Sequence, residues 1–372
     1  MFQRSFIFSS LPSRVVFGVG SLSNLPAEFN ELGVERALVV CTPEQSDLAY
    51  SVARMLGDRC RDVLPGAVMH VPIEAARRAR AHALDAGADC IVAVGGGSTI
   101  GLGKAIALES SIPILAIPTT YAGSEMTPIY GLTENGAKKT GRDLRVLPRT
   151  VIYDPELTVS LPARMSATSG INAIAHCVEA LYAGNASPFT SMMAEEGIRY
   201  LARGLPQVVQ RPGDLDARAE CLYRAWLAGS VLATTSVALH HKLCHTLGGM
   251  LNLPHAETHA VGLPHATAYN ASAAPQAMDG ICRALEKRDA AQGLFDVAAQ
   301  LDVPLSLKAL GVQFADLDRV ADAALTAPYP NPRPLDRAAI RVLLENAYWG
   351  RRPGTALECV SSLSGRELPP EN

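Results

Sequence analysis

Three consecutive glycines and a serine, Gly95–Ser98, separate an apolar run from a helical pattern. The apolar run, Cys90–Val94, predicts a buried strand, and a strand that turns through glycines into a helix is typical of parallel α/β sheets. Because glycine has no Cβ, a phosphate can approach this turn, and the helix N-terminus adds free N–H groups and positive dipole. We therefore expect Gly96, Gly97 and Ser98 to bind a cofactor, with Ser98 as the N-cap. A tight turn without a ligand is the alternative, and the pattern is not GxGxxG.

The sequence changes character near residue 160. Before it, β-branched runs alternate with helical stretches, which favours a parallel sheet with crossover helices. From Pro162 to about Ala347 strand signals nearly vanish, and prolines divide alanine- and leucine-rich windows into roughly seven or eight helices. We expect a Rossmann-like α/β dinucleotide-binding domain at 1–160, an all-helical catalytic domain at 161–352 and a tail at 353–372. The predicted elements of the first domain are Ala37–Val40, Asp47–Leu56, Ile73–Ala86, Cys90–Val94, Gly103–Glu109, Ile114–Ile117 and Val151–Tyr153. The dividing prolines are Pro188, Pro206, Pro212, Pro254, Pro264, Pro275 and Pro304, and Ala327–Pro334 cannot be helical.

A second polar loop, Pro118–Glu125, follows the next predicted strand at its carboxyl end. Open α/β sheets bind ligands at that end. The hydroxyls of Thr119 and Thr120 suit a ribose, a phosphate or a carboxamide. A turn that caps the following segment is the alternative, and the two interpretations are compatible.

The charge balance is close to neutral, with 33 basic against 36 acidic residues and a net charge of −3. A nucleic-acid or membrane-surface protein would show a basic patch or tail, so we expect neither partner. The eight cysteines lie scattered without CxxC spacing, which indicates reduced thiols in a cytoplasmic protein. We recognise no signal peptide and no stretch of membrane-spanning length.

Histidines concentrate in one segment, where six of nine lie between positions 240 and 265. Asn172 and His176 are four residues apart and share one helix face, as do His241 and His245. Imidazoles on facing helices are costly to bury without partners, which indicates a site. With His255 they would suit Fe²⁺ or Zn²⁺ if a carboxylate joined them, but Asn172 is a neutral, weak ligand. We expect His240 to serve packing or to lie at the rim, and His259 and His265 to have core or surface roles.

These motifs together resemble the iron-containing (group III) alcohol dehydrogenase superfamily over nearly the whole chain. Its pattern is a GGGS turn, a PTT…GSE loop and a metal set of one aspartate and three histidines. The metal positions fall on Asn172, His176, His241 and His255, which are separated by 4, 65 and 14 residues. Within the superfamily the chain is most similar to the maleylacetate reductases. As in that family, Gly101 replaces the aspartate of GGGSxxDxxK, the loop PTTYAGSE is one residue short, and the metal aspartate is an asparagine.

The resemblance implies an α/β nucleotide-binding domain followed by an all-α domain, as in dehydroquinate synthase, and a homodimer. It also implies NADH or NADPH as the cofactor. Thr42 stands where NAD-restricted members carry an aspartate, and the loss of that charge would permit a 2′-phosphate. The cofactor-binding residues that it indicates are Thr42, Gly96, Gly97, Ser98, Thr119, Thr120, Tyr121 and Lys139.

By this resemblance the reaction is reduction of the C=C bond of 2-maleylacetate to 3-oxoadipate in the degradation of aromatic compounds. Hydride would add β to the ketone, so an enolate oxygen needs a donor and the α carbon needs a proton. We expect His241, His245 and His176 to be catalytic, and His255, Lys242 and Asn172 to bind the dicarboxylate substrate. Further cations for its carboxylates are Lys138, Lys139 and Arg142. The metal is expected to be absent and its four positions vestigial.

Three alternatives stay open. A metal-dependent (Fe or Zn) group III alcohol dehydrogenase or lactaldehyde-type reductase would use the same fold, although Asn172 and Gly101 count against it. A glycerol-phosphate dehydrogenase or dehydroquinate-synthase-like relative fits the motifs less well. A nucleotide-binding module without catalysis is disfavoured by the clustered histidines.

Overall fold

The computed structural model describes residues 6–134 and 137–354. Six parallel strands form one sheet in the order β1-β8-β5-β4-β2-β3, and β6 and β7 form a separate antiparallel hairpin. The strands are β1 (Arg14–Phe17), β2 (Ala37–Val40), β3 (Cys60–Leu64), β4 (Cys90–Gly95), β5 (Ile114–Pro118), β6 (Ile129–Glu134), β7 (Ala137–Arg142) and β8 (Thr150–Tyr153). The helices among them are α1 (Leu25–Glu31), α2 (Ser46–Leu56), α3 (Ile73–Asp85) and α4 (Gly97–Ser110). This parallel sheet with helices confirms the predicted fold class of the first half.

Helices cover both faces of the sheet. Val39 and Val92 pack with α1 and α2, whereas Leu38 and Ile91 pack with α3 and α4. Neighbouring residues of a strand point to opposite faces, so a strand covered on both sides is an unbroken apolar run. That is why β2, β4 and β5 could be predicted from the sequence.

The sheet has a switch point beside β2. The chain continues from β2 to β3 on one side, then returns to β4 on the other side. The loops after β2 and β4 therefore diverge and leave a crevice at the carboxyl ends of the strands, which is where open α/β sheets bind ligands.

Nine further helices follow β8 in the described part of the chain. They are α5 (Ala163–Leu181), α6 (Pro188–Gln210), α7 (Leu215–Thr234), α8 (Leu239–Leu251), α9 (His255–Asn270), α10 (Pro275–Leu285), α11 (Ala290–Gln300), α12 (Asp316–Ala324) and α13 (Arg337–Trp349). The central one is α5, which is buried continuously from Ser166 to Ala180 and packs against α6, α7 and α9. Its small residues permit this close approach, since a Cβ on Gly170 would lie 2.3 Å from Leu205.

Several predicted details are wrong. Pro206 and Pro264 lie inside α6 and α9 and do not divide helices, because packing outweighs the local cost of the missing N–H. The hairpin β6–β7 and the edge strands β1 and β3 were not predicted, since their residues are only partly buried and lack a clear apolar run. The segment Ala327–Pro334 is non-helical, as predicted.

The predicted division at residue 160 stays a prediction, although the last strand and α5 lie on either side of it. Most of the predicted tail, from residue 355 onward, lies outside the described residues. Seven cysteines lie within the described ranges, and all are free thiols. Among these residues no helix combines the length and hydropathy needed to cross a membrane.

Candidate active site

The glycine turn after β4 is built for a close approach of backbone to ligand. At Gly95 φ is +151°, and a Cβ there would lie 2.4 Å from both Gln45 Oε1 and Thr99 Oγ1. A Cβ on Gly96 would lie 2.8 Å from Thr120 Cγ2. Larger residues are therefore excluded at both positions. The turn thus leaves backbone, not side chains, facing the crevice.

The N-terminus of α4 opens onto this crevice. Gly96 is the N-cap and makes no side-chain cap hydrogen bond, so the prediction that Ser98 is the N-cap is wrong. Ser98 instead lies in the first helical turn, because the helix starts at Gly97. Gly97 is exposed and Thr42 is half-buried at the end of β2. These groups fit the phosphates and ribose of a dinucleotide cofactor.

Two side-chain hydrogen bonds fix the position of the polar loop after β5. Gln45 Nε2 donates to Thr119 Oγ1 at 2.7 Å, which links this loop to the segment after β2. Tyr121 is fully buried, and its hydroxyl accepts a hydrogen bond from Arg218 Nη1 at 3.2 Å. The Tyr121 phenol therefore packs in the core, and the expectation that Tyr121 binds the cofactor stays a prediction for the backbone of this residue.

A buried lysine on α4 also holds this loop, through hydrogen bonds to the end of the loop and to the residues after it. The Lys104 ammonium on α4 donates to the carbonyl oxygens of Ser124, Thr127 and Ile129 and to the hydroxyls of Ser124 and Thr127, at 2.7–3.3 Å. Burial lowers its pKa to about 7, although Coulombic attraction to Glu125 acts in the opposite direction. No role was predicted for Lys104. The sequence feature that could have indicated one is its position as the only charged residue in the apolar stretch IGLGKAIAL.

A hydrogen-bonded chain crosses the helical half and ends on the polar loop. Glu179 Oε2 lies 2.6 Å from His241 Nδ1, and His241 Nε2 lies 2.9 Å from His176 Nδ1. His176 Nε2 lies 3.1 Å from the carbonyl oxygen of Ala122. All three side chains are buried. The chain thus joins α5 and α8 to the loop that follows β5.

The direction of each hydrogen bond follows from its fixed end. A carbonyl only accepts, so His176 Nε2 carries hydrogen and its Nδ1 must accept from His241 Nε2. The backbone N–H groups of Ala238 and His240 donate to Glu179 at 2.7 and 2.8 Å, which favours the carboxylate. Burial alone would raise the pKa of Glu179, but attraction to His241, the hydrogen bond with it and the other donors lower it. Both ring nitrogens of His241 are therefore in use.

Behind this chain lies a second buried group. His240 Nε2 is 2.8 Å from His259 Nδ1, and Cys244 Sγ is 3.8 Å from His240 Nε2. Burial lowers the pKa of His240 to about 3 and raises that of the Cys244 thiol well above its ordinary value. These are neutral, hydrogen-bonded side chains, and His240 packs inside instead of at the rim.

Two other imidazoles remain available. The rings of His245 and His255 stack with centroids 6.1 Å apart and planes 10° apart, and both side chains are only partly buried. Within the described residues no side-chain hydrogen bond involves His245, and His255 Nδ1 is buried without a partner. Asn172 Oδ1, one turn before His176, and His259 Nε2 are also without partners. Such unsatisfied atoms mark where a ligand can bind.

The predicted cations take different positions. Lys139 is exposed and donates to Glu134 Oε2 at 2.7 Å, and the expectation that it contacts the cofactor stays a prediction. Lys242 lies over the Tyr329 ring, 5.8 Å from its centroid, and Arg142 donates to the Ala233 carbonyl oxygen. The half-buried Lys138 has no ion-pair partner within the described residues, and burial lowers its pKa.

The four positions that a family metal would occupy do not fit a divalent ion. Asn172 lacks the negative charge of an aspartate. His176 and His241 direct nitrogens at each other and use their remaining nitrogens on the Ala122 carbonyl and on Glu179. Within the described residues, the one set of three His, Cys, Asp or Glu side chains with ligand atoms within 4.8 Å is the buried group His240, Cys244 and His259. That set does not coincide with the four family positions.

Family models match both halves of the chain. The model of iron-containing alcohol dehydrogenase matches residues 12–155, and the C-terminal model of the Fe-containing alcohol dehydrogenase family matches residues 166–348. The chain belongs to the iron-containing alcohol dehydrogenase family. This confirms the family that the glycine turn, the threonine loop and the histidine spacing indicated.

Individual members of the iron-containing alcohol dehydrogenase family are similar over nearly the full chain. A maleylacetate reductase of Burkholderia cepacia is 60% identical over 351 residues, which are 94% of this chain and 100% of that protein. The crystal structure of maleylacetate reductase from Agrobacterium tumefaciens has a TM-score of 0.89 at 51% identity, covering 94% of this chain and 100% of that one. An iron-containing alcohol dehydrogenase from Corynebacterium glutamicum has a TM-score of 0.89 at 44% identity, covering 95% and 99%.

Proposed function

We propose that this chain is a maleylacetate reductase, which reduces the C=C bond of 2-maleylacetate to 3-oxoadipate in the degradation of aromatic compounds. The observation that carries the proposal is the 60% identity, over 94% of the chain, to the Burkholderia cepacia enzyme of that name. The geometry agrees with it, because His176 and His241 at the metal positions bind each other, while the third metal-position histidine, His255, and the neighbouring His245 are left free. The reduced thiols support a cytoplasmic location, and the family resemblance supports a homodimer.

The crevice beside β2 and β4 would hold NADH or NADPH. Gly96, Gly97 and Ser98 would contact the phosphates, and Thr119 and Thr120 the rest of the cofactor. Bound there, a reduced nicotinamide would supply hydride. Thr42 places no negative charge near a 2′-phosphate, so we expect comparable kcat/KM values for the two cofactors. A preference of several hundredfold for NADH would contradict this.

His245 and His255 would act on the substrate. Burial and the nearby charge of Lys138 keep the pKa of both well below the ordinary histidine value, so each is neutral near pH 7 and has one N–H to donate. Saturation of the alkene adds hydride to the carbon β to the ketone and places negative charge on the carbonyl oxygen. A neutral imidazole can stabilise such an oxygen. We assign this role to His255. His245 would pass its N–H proton to the α carbon while its other ring nitrogen takes up a proton from solvent, to which the side chain is partly exposed.

His241 and His176 would position the site without touching the substrate. The carboxylate of Glu179 orients His241, which orients His176, which in turn holds the Ala122 carbonyl of the cofactor loop. This assignment differs from the expectation that His241 and His176 are catalytic. The two ring nitrogens of each are already committed to neighbours.

The test is the oxidation of NADH and NADPH with maleylacetate, beside simple aldehydes and ketones as controls. The proposal predicts turnover with maleylacetate and little with the controls. Turnover of alcohols or aldehydes that depends on added Fe²⁺ or Zn²⁺ would instead support the metal-dependent alcohol dehydrogenase alternative. Cofactor binding without oxidation by any of these substrates would support the non-catalytic alternative.

A further inference from the structure

The hairpin β6–β7 places two neighbouring lysines in opposite environments. Residues alternate sides along a strand, so Lys138 and Lys139 point to opposite faces. The Lys139 side chain is 72% exposed and pairs with Glu134. Lys138 is half-buried, and the described residues give it no carboxylate within salt-bridge distance and no hydrogen-bond acceptor. One face of the hairpin is therefore solvated, and the other presents an unpaired cation.

The stem of Lys138 lies across Gly131. A Cβ on Gly131 would come within 2.9 Å of Lys138 Cε, so only glycine lets this side chain lie flat across β6. Thr133 is on the same face of β6 and donates its hydroxyl hydrogen to the carbonyl oxygen of His70 at 2.8 Å. The His70 ring then contacts the helical half, where Nε2 lies 3.0 Å from the Leu253 carbonyl oxygen. The Lys138 face of the hairpin is thereby fixed against the helical half.

The neighbours of Lys138 include the two free imidazoles of the site, His245 and His255, and the hydrogen-bonded imidazole of His70. Strand β7 packs against α8, and the charge of Lys138 contributes to the lowered pKa of His245, His255 and His70. Each of these histidines is a neutral neighbour and cannot balance an ammonium. A partly buried cation is stabilised by an anion, so this position favours an anionic ligand.

Resting on the proposed function, we infer that Lys138 binds one carboxylate of the dianionic substrate beside His245 and His255. The other predicted cations are engaged elsewhere: Lys242 by the Tyr329 ring and Arg142 by the Ala233 carbonyl oxygen. The glycine turn that fits phosphates belongs to the sheet, where Gly96 faces Thr120. Lys138 lies on β7, which packs against α8, the helix that carries His245. It is thus a specificity-determining residue for a dicarboxylate.

The experiment compares Lys138→Met with Lys139→Met in the full-length enzyme. We expect Lys138→Met to raise the KM for maleylacetate about 10- to 100-fold, the effect of losing one charge-assisted hydrogen bond, with the KM for NADH unchanged. Lys139→Met should leave the KM for maleylacetate within about twofold of wild type, since Lys139 lies on the opposite, exposed face of the hairpin. Lys138→Arg should recover part of the loss, which shows that the fold is intact.

Three outcomes overturn the inference. If the KM for maleylacetate is unchanged in Lys138→Met, no carboxylate binds there. If the KM for NADH rises instead, the cation serves a cofactor phosphate. Calorimetric titration with maleate, a dicarboxylate that needs no turnover, separates this inference from the proposed function. Maleate binding lost in Lys138→Met but kept in Lys139→Met supports the anion site even if wild type fails to reduce maleylacetate, and equal binding in both overturns it.

Discussion

His245 makes no side-chain hydrogen bond among the described residues and is partly exposed, whereas His265, which makes none either, is buried. Four other histidines are hydrogen-bonded to one another, to Glu179 or to a backbone carbonyl. They are His176, His240, His241 and His259. A ring nitrogen held in this way cannot deliver a proton to substrate without breaking a buried hydrogen bond. Partial exposure and unused nitrogens therefore support the proposal that His245 is the proton donor.

Replacement of His245 by alanine should lower kcat with maleylacetate about 10²- to 10³-fold, because the α carbon loses its donor. The KM for NADH should stay the same, since His245 lies on α8, away from the glycine turn. Steady-state kinetics at saturating NADH measures both. The control is His265→Gln, another buried histidine outside the hydrogen-bonded groups, which should keep kcat within about threefold. Near-wild-type turnover in His245→Ala would remove it from the mechanism.

Residue spacing predicted which histidines come together, but not how they bond. Asn172 with His176 and His241 with His245 share helix faces, as their four-residue spacing requires. Whether a given nitrogen is free depends on partners from other elements, such as Glu179 and Ala122, which spacing does not reveal. Glu179 had a local signal, since it is a lone carboxylate on the face of α5 that carries Asn172 and His176. The choice between Lys138 and Lys139 needed the hairpin, which was not predicted.

At the level of elements, the site depends on how α8 is anchored. Glu179 accepts hydrogen bonds from the N–H groups of Ala238 and His240, so a carboxylate on α5 caps the N-terminus of α8. A negative charge there is also favoured by the helix dipole. One side chain thus fixes the position of the helix and the orientation of His241 on it.

The β4–α4 turn depends on the absence of a side chain at Gly96. Gly96→Ala should raise the KM for NADH about tenfold or more, because the new Cβ would lie 2.8 Å from Thr120 Cγ2 and displace the turn. Adding Thr120→Ser removes that methyl group, so the double variant should recover most of the affinity. Fluorescence titration with NADH compares the single and double variants. No loss in Gly96→Ala would show that the turn does not bind the cofactor.

The elements that could be predicted are those whose own residues decide them. Strands β2, β4 and β5 are continuous apolar runs, and α2 and α3 have a clear helical period. The pair β6–β7 carries glycines and charges, and it is held by contacts with α4 and α8 that lie far away in sequence. Propensity could not show such long-range contacts, nor that Pro206 and Pro264 would lie within helices.

Across the whole molecule, the site lies where the sheet half meets the helical half. His176 from α5 binds the Ala122 carbonyl of the sheet loops, and His70 from the sheet half binds the Leu253 carbonyl next to α8. Neither half alone contains both the glycine turn and the histidines. This division agrees with the expected roles of a cofactor-binding half and a catalytic half.

The buried histidines should make the fold sensitive to acid. Burial lowers the pKa of His240 to about 3 and of His265 to about 4, and lowers those of His176 and His259 well below the ordinary value. The unfolded chain binds protons at these residues below about pH 6.5 while the folded chain does not, so the free energy of unfolding falls as the pH drops. We expect about 1.4 kcal/mol lost per histidine per pH unit between pH 6 and 5.

Urea unfolding at pH 7.5, 6.0 and 5.0 measures this dependence. His265→Gln should reduce the dependence of the unfolding free energy on pH by the contribution of one histidine. Substitution of a histidine outside the core should leave that dependence unchanged. An unfolding free energy that stays constant or increases from pH 7.5 to 5.0 would contradict neutral, buried imidazoles.

We propose that histidine side chains, not a metal ion, support reduction of the C=C bond: His245 and His255 act on the substrate, and the hydrogen-bonded His176 and His241 position the site. The most direct measurement is the iron and zinc content of the purified enzyme beside its rate of maleylacetate reduction, before and after chelation. We predict substoichiometric metal and an unchanged rate after chelation. Stoichiometric iron or zinc, together with activity that chelation abolishes and the metal restores, would contradict the account.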